Sequence, residues 1–111
     1  MKALANVAVA CLLPWPALAE MTLLTTRYGC ERGVTVPATW INADDGTAVV
    51  VSVEGRQITL QIEQSASGAR YGWPSDGSSY VWWTKGAEAV LSWKDETGAE
   101  TPVLSQCKEA G

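Results

Sequence analysis

Two short segments of the chain hold the residues best able to do chemistry. The first sets Ser67 beside Gly68, and the second sets Lys85 beside Gly86 among large aromatic side chains. The chain contains no histidine. A lysine carried on a glycine turn between aromatic residues suits insertion into an acidic cleft of another protein. It suits a reaction of the protein's own poorly, because general acid–base chemistry near neutral pH most often uses histidine.

An enzymatic alternative is a Ser67–Lys85 dyad, in which the lysine activates the serine as a nucleophile. No strained nucleophile turn surrounds Ser67, so this alternative ranks last. Paired carboxylates for glycoside chemistry remain open, although 12 acidic residues are an ordinary number for a solvated surface. Phosphate-loop, EF-hand and zinc-site spacings are absent. We therefore predict no catalytic residue, no cofactor and no metal.

The tryptophans divide between core and surface. Trp82 and Trp83 are adjacent, so in a strand one points inward and the other outward. Trp40 and Trp93 fit a core, whereas Trp73 falls in a glycine-rich loop. Exposed tryptophan and tyrosine commonly anchor protein interfaces.

The first 19 residues have the features of a secretory signal. Lys2 precedes an apolar run, and residues 17–19 read Ala-Leu-Ala, a cleavage pattern of small residues. Cys11 offers a lipid-anchoring alternative, which is weaker because no large aliphatic residue stands three positions before it. We predict a signal peptide over 1–19, a single domain over 20–111, and export to the periplasm without membrane insertion.

Charge and cysteines narrow the class of protein further. The net charge of −4 becomes −5 once Lys2 is removed, leaving 7 basic and 12 acidic residues. Such a surface disfavours nucleic acid and favours basic partners. Because export implies an oxidising compartment, we pair Cys30 with Cys107. Two free thiols or an incomplete metal site are the alternatives.

Alternating apolar residues indicate strands joined by tight turns. The inward positions are Val34, Val36, Ala38 and Trp40; Val49, Val51 and Val53; Ile58, Leu60 and Ile62; and Ala87, Ala89, Leu91 and Trp93. Pro37 predicts an edge position or a bulge. We expect Gly55-Arg56 to form a two-residue hairpin turn and Lys85-Gly86 to turn the chain. Residues 70–71, 80–84 and 102–106 should also be extended. Such short strands predict an all-β, antiparallel sheet that curls closed.

Three features together resemble a known family, the MliC and PliC inhibitors of c-type (chicken-type) lysozyme. They are Tyr28-Gly-Cys30 near the mature start, Ser67-Gly-Ala-Arg-Tyr71, and the segment over 80–89 that reads Tyr-Val-Trp-Trp-Thr-Lys-Gly-Ala-Glu-Ala. The resemblance spans Tyr28 to Cys107. It implies a small eight-stranded antiparallel β-barrel closed by one disulfide.

The resemblance also implies a function and a site. The protein would inhibit c-type lysozyme by placing Ser67 and Lys85 against the two catalytic carboxyl groups of the enzyme. The lysozyme-binding residues that follow are Ser67, Gly68, Tyr71, Trp73, Tyr80, Lys85 and Gly86. The loop over 72–79 is longer than is usual in the family. The main alternative is a small envelope barrel that binds an apolar ligand or has a structural role, and weak homodimerisation stays open.

Overall fold

The computed structural model describes residues 20–74 and 77–110, which form one closed eight-stranded antiparallel barrel. Each strand is hydrogen-bonded to the next along the chain, and β1 closes onto β8. The strands are β1 (Met21–Gly29), β2 (Thr35–Ala43), β3 (Gly46–Val53), β4 (Arg56–Glu63), β5 (Ala69–Gly72), β6 (Ser79–Lys85), β7 (Glu88–Lys94) and β8 (Glu100–Glu109). The predicted all-β barrel class is therefore confirmed.

The predicted alternation places one set of side chains inside the barrel. Trp82, Val36, Val49 and Val51 are wholly buried. Inside the barrel, the rings of Tyr28 and Trp82 pack edge to face, with ring centroids 5.1 Å apart. Large side chains thus fill the barrel between its two ends.

Three predicted core residues lie at the barrel ends and are exposed to solvent: Ile62, Trp93 and Ala87, which stands in the turn after β6. Ile62 is 47% exposed because the ladder with β3 stops one residue earlier, at Gln61. Trp93 is 39% exposed and packs only at its edge against Tyr80, with ring centroids 4.9 Å apart. Periodicity identified the inner faces of β2, β3, β4 and β7 correctly, but it carries no information on where the barrel ends.

The hairpin predicted at Gly55-Arg56 is wrong by one residue. Val53 pairs with Arg56, so the two central residues are Glu54 and Gly55, both with positive φ. Positive φ at both central positions belongs to a type I′ turn, whose twist matches that of the flanking strands. The glycine therefore stands second in the turn, and Arg56 begins β4.

Pro37 stands in a strand that has neighbours on both sides. It pairs with Arg27 of β1, while the ladder with β3 begins one residue later, at Ala38↔Val51. The missing N–H of the proline therefore removes no bond to β3. Pro37 needs neither a bulge nor an edge strand here, because the β3 ladder stops short of it.

The first strand was not anticipated. β1 reads Met-Thr-Leu-Leu-Thr-Thr-Arg-Tyr-Gly and lacks apolar alternation before Tyr28. It pairs with β2 along its whole length, from Met21↔Ala43 to Gly29↔Thr35. It pairs with β8 only at Tyr28 and Gly29. Its first half therefore extends past the core and has no periodic signal to detect.

A disulfide between Cys30 and Cys107 reinforces this short closing ladder, as the pairing of cysteines predicted. Next to it, the Glu31 carboxylate accepts hydrogen bonds from the backbone N–H of Ser105 at 2.7 Å and from its hydroxyl at 3.0 Å. These two bonds hold the pKa of Glu31 below its ordinary value. The segment between β1 and β2 is thereby tied to β8.

The predicted signal peptide, which includes Cys11, lies outside the described residues. Its cleavage therefore stays a prediction. No helix within residues 20–74 and 77–110 has the length and hydropathy needed to cross a bilayer.

Candidate functional site

Ser67 lies in the loop between β4 and β5, and its side chain is exposed. Gly68 follows with φ of +67°, a left-handed conformation that favours glycine. A Cβ atom at this position would collide with the backbone carbonyl oxygen of Thr84 in β6. Glycine is therefore required both by the backbone angle and by the close approach of the loop to β6.

The outward tryptophan of the adjacent pair fastens this loop. Trp82 is buried, whereas Trp83 is half-buried and its indole N–H donates to the carbonyl of Ser67 at 3.0 Å. The hydroxyl of Ser65 donates to the same carbonyl at 2.5 Å. The Ser67 backbone is thus held from two directions while its own hydroxyl stays free of any protein partner among the described residues.

Lys85 is the last residue of β6 and is exposed. It pairs with Glu88 across the turn, so the two central turn residues are Gly86 and Ala87, one position later than predicted. Gly86 has φ of +60°, and nothing lies within 4 Å of where its Cβ would be. Within residues 20–74 and 77–110 the Lys85 ammonium forms no salt bridge.

Strand register brings the two candidate residues together. Ala69 pairs with Thr84, which sets Gly68 level with Lys85 on the neighbouring strand. The β4–β5 loop and the β6–β7 turn also lie at the same end of an up-and-down barrel, which we call the Ser67–Lys85 end. A hydroxyl and an ammonium therefore share one exposed rim.

Tyr71 supports this end from inside the barrel. It is 6% exposed, and its ring packs against Trp40 with centroids 5.2 Å apart. Burial raises the pKa of Tyr71, and it raises the pKa of Tyr28 to about 12, with the nearby Glu109 adding to the effect. Both tyrosines line a cleft of about 290 Å³ that Gly86 also borders. Both phenols stay neutral at physiological pH.

Trp73 and Tyr80 are not brought to this rim. The β5–β6 loop and the start of β6 lie at the opposite end of the barrel, which we call the Trp73 end. Trp73 is 44% exposed there. Tyr80 lines a second cleft of about 210 Å³ whose rim includes Arg32 and Arg56. A single contact with a flat partner surface could not include residues at both ends of the barrel.

Arg70, which follows the loop in β5, has two carboxylate partners. Its guanidinium donates to Glu63 at 2.6 Å and makes a two-pronged contact with Glu100, one branch of which measures 3.0 Å. The hydrogen bonds to Glu100 raise the pKa of Arg70. Sequence gave no sign that Glu100 would be one of the partners, because it stands 30 residues away.

The fold and rim define a class of protein, the small disulfide-closed β-barrel that presents polar side chains at one end. A family model described as membrane-bound lysozyme-inhibitor of c-type lysozyme matches residues 28–100. The chain belongs to this family, and the resemblance noted from the sequence motifs is confirmed.

Two curated relatives carry the name membrane-bound lysozyme inhibitor of C-type lysozyme. The protein of Cupriavidus necator is 35% identical over 74% of this chain, and the matched segment spans 62% of that relative's length. The protein of Pseudomonas aeruginosa is 34% identical over 87% of this chain and 73% of its own length.

Two solved structures share the fold. Pseudomonas aeruginosa MliC, crystallised in complex with hen egg white lysozyme, superposes with a TM-score of 0.64 and 30% identity, covering 96% of this chain and 99% of that one. PliC of Salmonella typhimurium superposes with a TM-score of 0.67 and 25% identity, covering 81% and 100%.

Proposed function

We propose that this protein inhibits a c-type lysozyme in the periplasm by inserting Lys85 and Ser67 into the active-site cleft of the enzyme. Membership in the lysozyme-inhibitor family supports the inhibitory role. A relative that aligns over nearly the whole chain was crystallised with hen egg white lysozyme, which supports the kind of partner. The location and the insertion residues rest on the sequence and on the geometry of the rim.

The observation that carries the proposal is the placement of two exposed polar side chains on adjoining backbone at one end of a closed barrel. Ala69↔Thr84 pairing aligns the two segments, and the indole of Trp83 fixes the carbonyl of Ser67. Because the backbone is fixed before binding, little conformational entropy is lost on insertion.

The chemistry of the partner fits this pair of groups. Lysozyme works with one protonated and one ionised carboxyl group. In a partly desolvated cleft, the Lys85 ammonium would donate charge-assisted hydrogen bonds to the ionised group. The Ser67 hydroxyl can donate or accept, so it suits either protonation state. Occupying both groups would block the reaction without any chemistry by the inhibitor.

The remaining predicted contacts take different roles in this proposal. Gly68 and Gly86 shape the insertion surface, and the buried Tyr71 supports it from below. Trp73 and Tyr80 lie at the Trp73 end, so they would reach lysozyme only through a second contact outside the cleft.

The alternative of an apolar-ligand barrel receives less support. Side chains fill the interior, and the clefts at the two ends measure about 210 and about 290 Å³. Pockets for drug-sized ligands usually hold about 300–1,000 Å³. Both clefts fall below that range, and the larger hollows of about 370–500 Å³ are lined almost entirely by exposed or partly exposed residues, so they are not interior cavities.

The test is a lysis assay with hen egg white lysozyme, bacterial cells and added protein. We expect Lys85→Ala to weaken inhibition by about 2–5 kcal/mol, the range for truncating one partner of a buried charge pair. Ser67→Ala should weaken it by about 1–2 kcal/mol. The matched control is Lys94→Ala, which removes the same charge from the Trp73 end of β7 and should change inhibition little.

Circular dichroism of each variant separates binding from folding. Equal inhibition by the parent and by a folded Lys85→Ala would rule out the insertion mechanism. Absence of protection by the parent protein at micromolar concentration would remove the inhibitor function itself for that lysozyme.

A further inference from the structure

The first half of β1 leaves a strand edge unpaired. The ladder between β1 and β8 stops at Tyr28↔Glu109, and one more bond joins the Ala110 N–H to the Arg27 carbonyl. Before Arg27, β1 pairs only with β2 among the described residues. Residues 21–25 are all exposed, with Met21 at 63%, Leu23 at 64% and Leu24 at 59%.

This edge lacks the features with which proteins usually block unwanted pairing. Residues 21–26 read Met-Thr-Leu-Leu-Thr-Thr and contain no charge, no proline and no glycine. Charged side chains, prolines and bulges are the common means of protecting an edge strand. An uncharged, apolar edge instead favours the addition of another strand.

The direction of the backbone groups defines how a partner strand could add. The Arg27 carbonyl points away from β2, because it accepts from Ala110 on the β8 side. Backbone groups alternate in direction along a strand, so those of Thr25, Leu23 and Met21 also point to the open edge. Antiparallel pairing exchanges two hydrogen bonds between residues that both point outward.

We propose that this edge pairs with the same edge of a second copy, antiparallel and about a two-fold axis at Leu23. Leu23 then faces Leu23 of the other copy, and Met21 faces its Thr25. Each such pair exchanges two bonds, so the dimer gains about six main-chain hydrogen bonds. A second copy is the occupant because the pattern of outward groups is self-complementary about Leu23.

The dimer is weak and depends on salt in a characteristic way. A ladder of this length buries less than the roughly 1,200–2,000 Å² of stable interfaces, so the association is of the weak, transient kind. The paired strands carry no charge, whereas each whole chain is negative. Added salt screens that repulsion and strengthens the dimer.

Sedimentation velocity of the chain over 20–111, which contains all eight strands, tests association from about 10 µM to 1 mM. We expect Leu23→Lys to lower the association constant at least tenfold, because it puts two like charges on the axis. The control is Val103→Lys, which charges a 43% exposed apolar side chain on β8 and should leave association unchanged.

Amide hydrogen exchange identifies the interface directly. The amides of Leu23 and Thr25 should gain protection at high concentration, whereas those of Thr22 and Leu24, bonded to β2, should be protected at every concentration. A monomer at 1 mM overturns the proposal. So does a dimer that survives Leu23→Lys or leaves the Leu23 amide unprotected. None of these results depends on whether lysozyme is inhibited.

Discussion

Single glycine residues at the Ser67–Lys85 end determine the backbone conformation of the rim. Gly68 is the most constrained of them, since both its φ and its distance from the Thr84 carbonyl exclude a side chain. Gly86 has a similar φ but open space around it. The two glycines therefore differ in what a methyl group would do.

We expect Gly68→Ala to destabilise the fold by about 2–4 kcal/mol, since it adds a collision to the left-handed strain. It should also displace Ser67 and weaken inhibition. Gly86→Ala should destabilise the fold only through its left-handed backbone angle, by about 1 kcal/mol. Urea unfolding measures both variants. The control is Gly77→Ala, which meets nothing within 4 Å and should be neutral. Equal stability of the Gly68 and Gly77 variants would contradict this account.

At the scale of elements, the turns determine where one strand ends and the next begins. The turn between β7 and β8 is organised by the Asp95 carboxylate, which accepts from the backbone N–H groups of Thr97 at 2.9 Å and Ala99 at 3.0 Å and from the Thr97 hydroxyl at 2.7 Å. These hydrogen bonds, with the Thr97 hydroxyl foremost, lower the pKa of Asp95 from its ordinary value of 3.8.

The lowered pKa predicts a pH dependence of stability. The folded state favours the ionised carboxylate, so the stabilisation is fully present above the ordinary value of 3.8 and is lost as the pH falls through the folded pKa. We expect Asp95→Asn to lower Tm at pH 7 and the gap from the parent to close in strong acid. Glu96→Gln is the neighbouring control. A gap that stays constant down to strong acid would argue against this role of Asp95.

At the scale of the whole molecule, closure depends on the weakest seam of the barrel. β1 and β8 share only two paired positions, so the disulfide joining Cys30 to Cys107 holds that seam. The bridge spans 77 residues of sequence. It therefore restricts most of the unfolded chain.

Removing the bridge should destabilise the fold by about 4 kcal/mol in the chain-entropy model. Thermal unfolding with and without reductant, and of the double variant Cys30→Ala/Cys107→Ala, checks this. Affinity for lysozyme, measured well below Tm, should change little, because the barrel remains folded there and the backbone bond from the Glu109 N–H to the Ala87 carbonyl still holds the β6–β7 turn against β8. An unchanged Tm under reductant would show that the bridge does not stabilise the seam.

Local patterns in the chain were enough to predict the barrel class, most strands and the two candidate side chains. Alternation at β3 and β4 identifies their inner faces because a strand repeats every two residues. The same period failed at β1, whose first half extends past the core. The turn at Glu54–Gly55 was predicted one residue late from its glycine, since glycine can stand at either central position.

By itself, the sequence determined the all-β class and the motifs around Ser67 and Lys85, since these depend on side-chain type and short spacing. It also determined the pairing of Cys30 with Cys107, since these are the two cysteines that follow the predicted leader. Only the tertiary structure decided that Ser67 and Lys85 share one end, that Trp73 and Tyr80 lie at the other, and that β1 keeps an open edge. These facts depend on the register between distant strands. Alternation and turn type specify the register of strands that follow one another, but they do not specify how the first strand meets the last or how far β1 extends beyond β8.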